Sequence, residues 1–417
     1  NDGDGGFGAG DADIIKCGSY TGNGSTNGPV IDLGFEPQWF MWKRTDATAN
    51  WNMIDNMRGI TYSDPGDPGL FPNLSSSENP DNNFNLTATG LKCQTNNSEI
   101  NASGGTYIYM AIRRGTKVPE SATEVFGLGT RGASTPGFTS NFPVDMFYRR
   151  YTTGSGYPDI GSRLTGAKAM QTSENFSEGN DSSSTFDHMN GYYNSSSADS
   201  NHFSWMWKRA PGYFDVVCYT GDNATSHAID HNLGVVPEMM WCKSRDINKD
   251  WNVYHSSLGT SGGNQGYLGL NLTDAAAYNT ERFAAAPTST QFIVGNNSRI
   301  NSSGSFYIAY LFASVAGVSK VSSYTGNGSS QTINAGFTAG ARFILIKRTD
   351  STGDWYVWDT SRGIVPGNSP HFSLNTNAAE VTSDDSIDPD SSGFIVNQIS
   401  ATNINVSSAT YLFYAIA

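Results

Sequence analysis

The heptapeptide SYTGNGS occupies Ser19–Ser25 and recurs unchanged at Ser323–Ser329. Extended outward, the first copy runs SYTGNGSTNGPVIDLGFEPQWFMWKRTDATANWNMIDNMRGI and the last SYTGNGSSQTINAGFTAGARFILIKRTDSTGDWYVWDTSRGI. Between them, from Cys218, lies CYTGDNATSHAIDHNLGVVPEMMWCKSRDINKDWNVYHSSLG. The copies also close alike, with INASGGTYIYMAI from Ile100, INSSGSFYIAYLFA from Ile300 and INVSSATYLFYAIA from Ile404. Register holds throughout: Trp51, Trp251 and Trp355 coincide, as do Asn101, Asn301 and Asn405. A fourth, degenerate copy fills the remaining interval. FPVDMFYRRYTTGSGYPDIGSRLTG from Phe142 and NSSSADSNHFSWMWKRA from Asn194 keep the aromatic strand, paired bases and closing strand but lack the SYTG opening. Self-similarity on this scale is the mark of a tandem array, and it divides the chain into segments 1–114, 115–210, 211–315 and 316–417.

Within each segment the pattern is that of strands. QWFMWKR and ARFILIKR are apolar runs of strand length, ending in bases expected to be exposed, and the Asp, Asn and Gly residues that follow suit a hairpin turn. TYIYMAI and FYIAYLFA read as closing strands buried on both faces. Only RLTGAKAMQT and TDAAAYNTERFAAAP contain helix-forming stretches, and both could be loops with a single turn. The expected fold is therefore all-β, with four tandem antiparallel β-sandwich, jelly-roll-like modules. Propeller blades are shorter than these repeats.

Composition narrows the functional classes. Aromatic residues make up 12% of the chain, too many for a disordered protein. The net charge of −13 and the lack of a basic run argue against a nucleic-acid partner. No apolar run is long enough to span a bilayer as a helix. Cys17, Cys93, Cys218 and Cys242 have no metal-binding spacing and read best as buried free thiols. His227 and His231 would share a strand face, but a metal would need further ligands. Asp2, Asp4, Asp11 and Asp13 lie in a glycine-rich stretch read as a flexible acidic leader. No cofactor, metal or catalytic constellation is implied.

Three features invite a ligand reading and also have a structural one. The Gly-x-Gly of the opening stretch lacks the following glycine and helix that a phosphate loop needs, so it reads as a left-handed turn. Trp51, Trp251 and Trp355 could stack on a sugar ring or could plug the end of a core. Asp55 with Arg58, and Asp359 with Arg362, could grip a ligand or could brace a turn as ion pairs.

The combination of SYTGNG, GF-x-P, KRTD, W-x-x-x-D-x-x-RG and TYIYMAI resembles a repeated domain of structural and tail-fibre proteins of marine, cyanophage-like tailed phages. NLGVVPEMMWCKSRD, WNVYHSSLG and the junction FASVAGVSKVSSYTGNGS resemble the partner repeat and linker of that family. The resemblance implies a non-enzymatic virion component on the particle exterior, in contact with other virion proteins and with a host surface glycan. Edge strands suggest a homo-oligomer. The alternative is a secreted carbohydrate-binding or carbohydrate-active protein.

Overall fold

β-Branched and aromatic runs separated by Gly, Asn and Asp turns condense into antiparallel sheets. The computed structural model describes residues 14–62, 66–82, 84–153, 156–194 and 197–417, the side chains at 81 and 82 excepted. The acidic leader with Asp2, Asp4, Asp11 and Asp13 lies outside the described residues. Among those described the protein is all-β. Its α-helix is confined to single turns, Ser98–Asn101 and Ser298–Asn301, each capped by an asparagine side chain. The two stretches with helix-forming residues form no α-helix: the first has a single 3-10 turn, Arg163–Thr165, before the short strand Lys168–Gln171, and the second supplies the short strand Phe283–Ala285.

One strand order recurs in every segment. In the first, the opening strand Ile15–Thr21 pairs with the closing strand Thr106–Arg113. The closing strand pairs with the aromatic strand Pro37–Arg44, and that with Trp51–Asp55. The third and fourth segments repeat this order with Phe214–Thr220, Phe306–Phe312, Met239–Ser244 and Asn252–His255, then with Ser319–Thr325, Thr410–Ile416, Phe343–Arg348 and Trp355–Asp359. The degenerate second segment keeps it too, with Phe126–Arg131, Asp199–Trp207, Met146–Tyr151 and Asp159–Ser162. Loss of the SYTG opening thus left the main sheet intact.

A smaller three-stranded sheet accompanies the main sheet in segments one, three and four, whereas in segment two its place is taken, among the described residues, by the pair Phe138–Thr139 and Gly191–Tyr192. In segment four, Ile333, Ile387, Phe394 and Val396 of the small sheet meet Ile344, Ile346, Tyr411 and Phe413 of the main sheet in one core. Segment three builds the equivalent core from Ile229, Phe283, Phe292, Met240, Cys242 and Leu311. Because side chains alternate along a strand, the opposite face of each main sheet points away from its own core.

The compact units do not follow the four segments one for one. The first unit comprises residues up to Thr116 together with 163–166 and 186–188; the second comprises 117–162, 167–185 and 189–417. Within the first, Tyr62 N donates to Leu164 O, and Arg163 Nη1 donates to Asn56 O at 3.2 Å and to Phe186 O at 2.6 Å.

Candidate functional site

The repeated loop is held from below by one asparagine. Asn101 Oδ1 accepts from Asn23 N at 2.7 Å, while its Nδ2 donates to Asn23 Oδ1, Ser25 O and Thr95 O. Asn301 does the same for the Asp222 loop and Asn405 for the Asn327 loop. The tyrosine of SYTG stacks on the closing-strand tyrosine and donates to the carbonyl before the asparagine, as Tyr20 does to Ile100 O at 2.8 Å. Gly22, Gly221 and Gly326 lie against a backbone carbonyl that a Cβ would approach to 2.2–2.3 Å. The third turn residue has positive φ as Gly24, Asn223 or Gly328, a conformation that glycine and asparagine tolerate. The loop's amides and its buried asparagine are therefore committed to one another, and no cradle for a phosphate is left.

The tryptophans separate by unit. Trp251 and Trp355 are 1% exposed and show no ring face to solvent, so a sugar cannot stack on them as they stand. Nor do they plug their own cores, because they lie on the opposite face of the sheet. Trp251 Nε1 donates to Gln171 O of segment two, and Trp355 Nε1 to Gly269 O of segment three, both at 2.9 Å. The bases ending the aromatic strands belong to the same seam. Contrary to expectation, Lys347 is fully buried rather than exposed, and its counterpart Lys243 is buried too. Lys243 Nζ donates to Asn175 O of segment two, and Lys347 Nζ to Thr273 O of segment three at 2.9 Å. Burial pushes both ammonium groups down to about 8.

Segment two closes the cycle with an arginine. Arg150 occupies the register position of these lysines, donates to Ser373 O of segment four at 2.9 Å, and also reaches Ala378 O. Gln171, Gly269 and Ser373 are equivalent positions. Gly269 and Ser373 lie two residues before Asn271 and Asn375, whose side chains accept from the backbone N–H of Trp251 and Trp355. Segment three thus bonds to two, four to three, and two to four, a head-to-tail ring that closes after three members. Aromatic rings fill its middle: Phe343 meets Phe126 and Trp207, and Phe312 meets Tyr414, at centroid distances of 5.1–5.6 Å. Arg245 and Glu178 add an ion pair at 2.8 Å between segments three and two.

Asp55 and Arg58 form an ion pair at 2.6 Å, and Asp55 Oδ1 accepts from the N–H groups of Met57 and Arg58. Asp359 repeats this with Ser361 and Arg362, and its Oδ2 also accepts from Trp205 Nε1 at 2.9 Å. Arg362 lies over the Phe203, Trp205 and Phe372 rings. Each pair closes a turn, and the second also fastens segment four to segment two. His227 and His231 do not converge. His227 bonds Asn301 and His231 bonds Thr288 O, and no metal-holding cluster occurs among the described residues. All four cysteines are free, but Cys17 is exposed where a buried thiol was expected.

A cavity of about 350 Å³ opens in the second unit, lined by Arg149, Asp159, Gln171, Phe176, Asn180 and Asp181. Arg149 lies at 2.6 Å from Asp181 and 3.2 Å from Asp159, and bonds Ser184. Burial raises the Asp159 carboxyl despite that guanidinium. Phe176 stays half exposed beside these polar groups. Nothing in the sequence marked this cavity. The seam did leave a trace, a base at the same strand position in all four copies.

A family model described as Domain of unknown function (DUF7483) matches residues 13–114 and 211–417. Segment two falls between the matched stretches, although its main sheet has the same strand order. No curated protein matches the chain.

Proposed function

This chain belongs to the DUF7483 family, and we propose that it is a non-enzymatic structural protein of a phage particle. It consists of four tandem β-sandwich modules and sits on the particle exterior in contact with other virion proteins. One observation carries the reading: the conspicuous aromatic and cationic side chains of modules two to four are used to bond those modules into a ring. A chain that commits Trp251, Trp355, Arg150, Lys243 and Lys347 to its own carbonyls is organised for mechanical integrity. The repeat motifs supply the virion context by their resemblance to marine-phage tail-fibre and structural proteins. The test is immunogold labelling of purified particles with antibody to the recombinant chain. Surface labelling is expected; absence of the chain from particles, or polysaccharide hydrolysis by the purified protein, overturns the proposal.

A carbohydrate-binding role has its own support in the Phe176 cavity, where a half-exposed ring adjoins amide, carboxylate and guanidinium groups, the mixture that sugars require. On this reading, Phe176→Ala abolishes glycan-array signals and the Trp251 and Trp355 variants act only through stability. Signals that survive Phe176→Ala refute a glycan site here.

A further inference from the structure

The first unit carries the same outward sheet face as segments three and four, and there it is more open to solvent. Its outward positions are Trp39, Met41, Trp51, Met53, Ile108 and Met110. Strand register makes their counterparts Met239, Trp241, Trp251, Val253, Ile308 and Tyr310 in segment three. In segment four they are Phe343, Leu345, Trp355, Val357, Leu412 and Tyr414. Every counterpart is at most 3% exposed. In the first unit all six are half-buried or more open, and Ile108 is 41% exposed. A contiguous apolar sheet face of this kind is normally covered.

The polar fittings of the seam are also present. Lys43 holds the position of Lys243 and Lys347, and its Nζ reaches Ala49 O within its own hairpin, as Lys347 reaches Gly353 O. The second bond that Lys347 makes, to another repeat, has no equivalent for Lys43 among the described residues. Trp51 N donates to Asn73 Oδ1, and Asn73 Nδ2 to Asn50 Oδ1, reproducing the Asn271–Asp250 and Asn375–Asp354 arrangements. The Trp51 indole N–H, unlike those of Trp251 and Trp355, has no acceptor among the described residues. The receiving edge is in place as well. Phe71 lies two residues before Asn73, as Gly269 lies before Asn271, and Ser75 lies two residues after it, as Thr273 follows Asn271.

We infer that the first unit's sheet face binds two further copies of this chain, in a head-to-tail ring of three like the one that segments two, three and four form within a chain. The occupant is a second copy because the face carries both halves of the contact, donor and acceptor, in the register that closes at three elsewhere in the molecule. A heterologous contact with this rotation closes into a trimer and leaves no open end. Trp51 of one copy then donates to Phe71 O of the next, and Lys43 to Ser75 O. The methionines at the centre give a face that can adapt to an identical partner. This inference does not depend on where the protein works.

The test is the mass of the full chain at micromolar concentration, by native mass spectrometry and sedimentation velocity. A trimer is expected. Met41→Asp and Met110→Glu, which place charge on the face without touching the core of the first unit, should each yield monomer with unchanged circular dichroism. If either fails to fold, Trp51→Phe serves instead. It removes one hydrogen bond from each of the three interfaces, and trimer should dissociate at roughly tenfold higher concentration. A monomeric or dimeric wild type overturns the inference. So does a trimer indifferent to Trp51→Phe and to whichever charged variant folds, since assembly would then use another surface.

Discussion

Replacing Trp355 by Phe removes the indole N–H that donates to Gly269 O at 2.9 Å, in a position only 1% exposed. The Gly269 carbonyl keeps one other partner, Leu272 N, at a long 3.4 Å, so the lost bond leaves a half-buried acceptor poorly satisfied. That costs about 1–2 kcal/mol. The missing pyrrole ring leaves space that neighbouring rings refill incompletely, for a further ~1 kcal/mol. The sum is about 2–3 kcal/mol, and Trp251→Phe, which abandons Gln171 O, should match it. Trp51→Phe is the internal control: same repeat position and chemistry, but half-buried and with no acceptor for its indole N–H among the described residues, so the loss should stay within about 0.5 kcal/mol. Thermal unfolding followed by circular dichroism, on protein diluted until it is monomeric, reads the difference. A unit this size loses roughly 2–4 °C per kcal/mol, so Trp355→Phe and Trp251→Phe should melt several degrees below wild type and Trp51→Phe within a degree or two. Equal melting points for all three variants would refute the assignment of the buried indoles to the seam.

Gly326→Ala drives a Cβ to 2.3 Å from Val406 O, whereas Gly34→Ala meets nothing within 4 Å and is strained only by its positive φ. The first should therefore cost several kcal/mol and the second about 1 kcal/mol, in that order by urea midpoint. One thiol per chain, Cys17, should react promptly with a disulfide reagent under native conditions, and all four after denaturation. Cys93, Cys218 and Cys242 are buried with their thiols pushed upward by desolvation, the first two to about 12. Burial lowers His255 to about 3 and, aided by the Arg149 and Arg131 charges, His202 to about 4. Their folded values lie below the unfolded value near 6.5, so the unfolded chain binds protons first as pH falls. The stability is complete above about pH 6.5 and declines below it, by up to about 1.4 kcal/mol per pH unit per histidine. His255→Gln should flatten the slope between pH 5 and 6.5 by about one proton, and an unchanged slope would contradict the assignment.

The sequence by itself determined the repeat, its register and its strands. These are local properties: alternation of apolar residues, turn residues at fixed offsets, and identical loops around Tyr20 and Tyr324. It also marked Asn101, Asn301 and Asn405 as equivalent, though not that each pins the loop some 80 residues upstream. What it could not supply was the destination of the outward faces. Lys43, Lys243 and Lys347 look alike on paper. Only the packing of segments two, three and four buries two of them against a neighbour's carbonyl and leaves the third half-buried within its own hairpin. Trp251 and Trp355 read as core or as ligand platforms because one strand does not disclose what lies across from its second face. The Arg149 cavity escaped notice for the same reason, since its lining comes together only through the pairing of Asp159–Ser162 with Lys168–Gln171 and the turn beyond. Periodicity decides which side chains share a face, while the arrangement of whole sheets decides what each face touches.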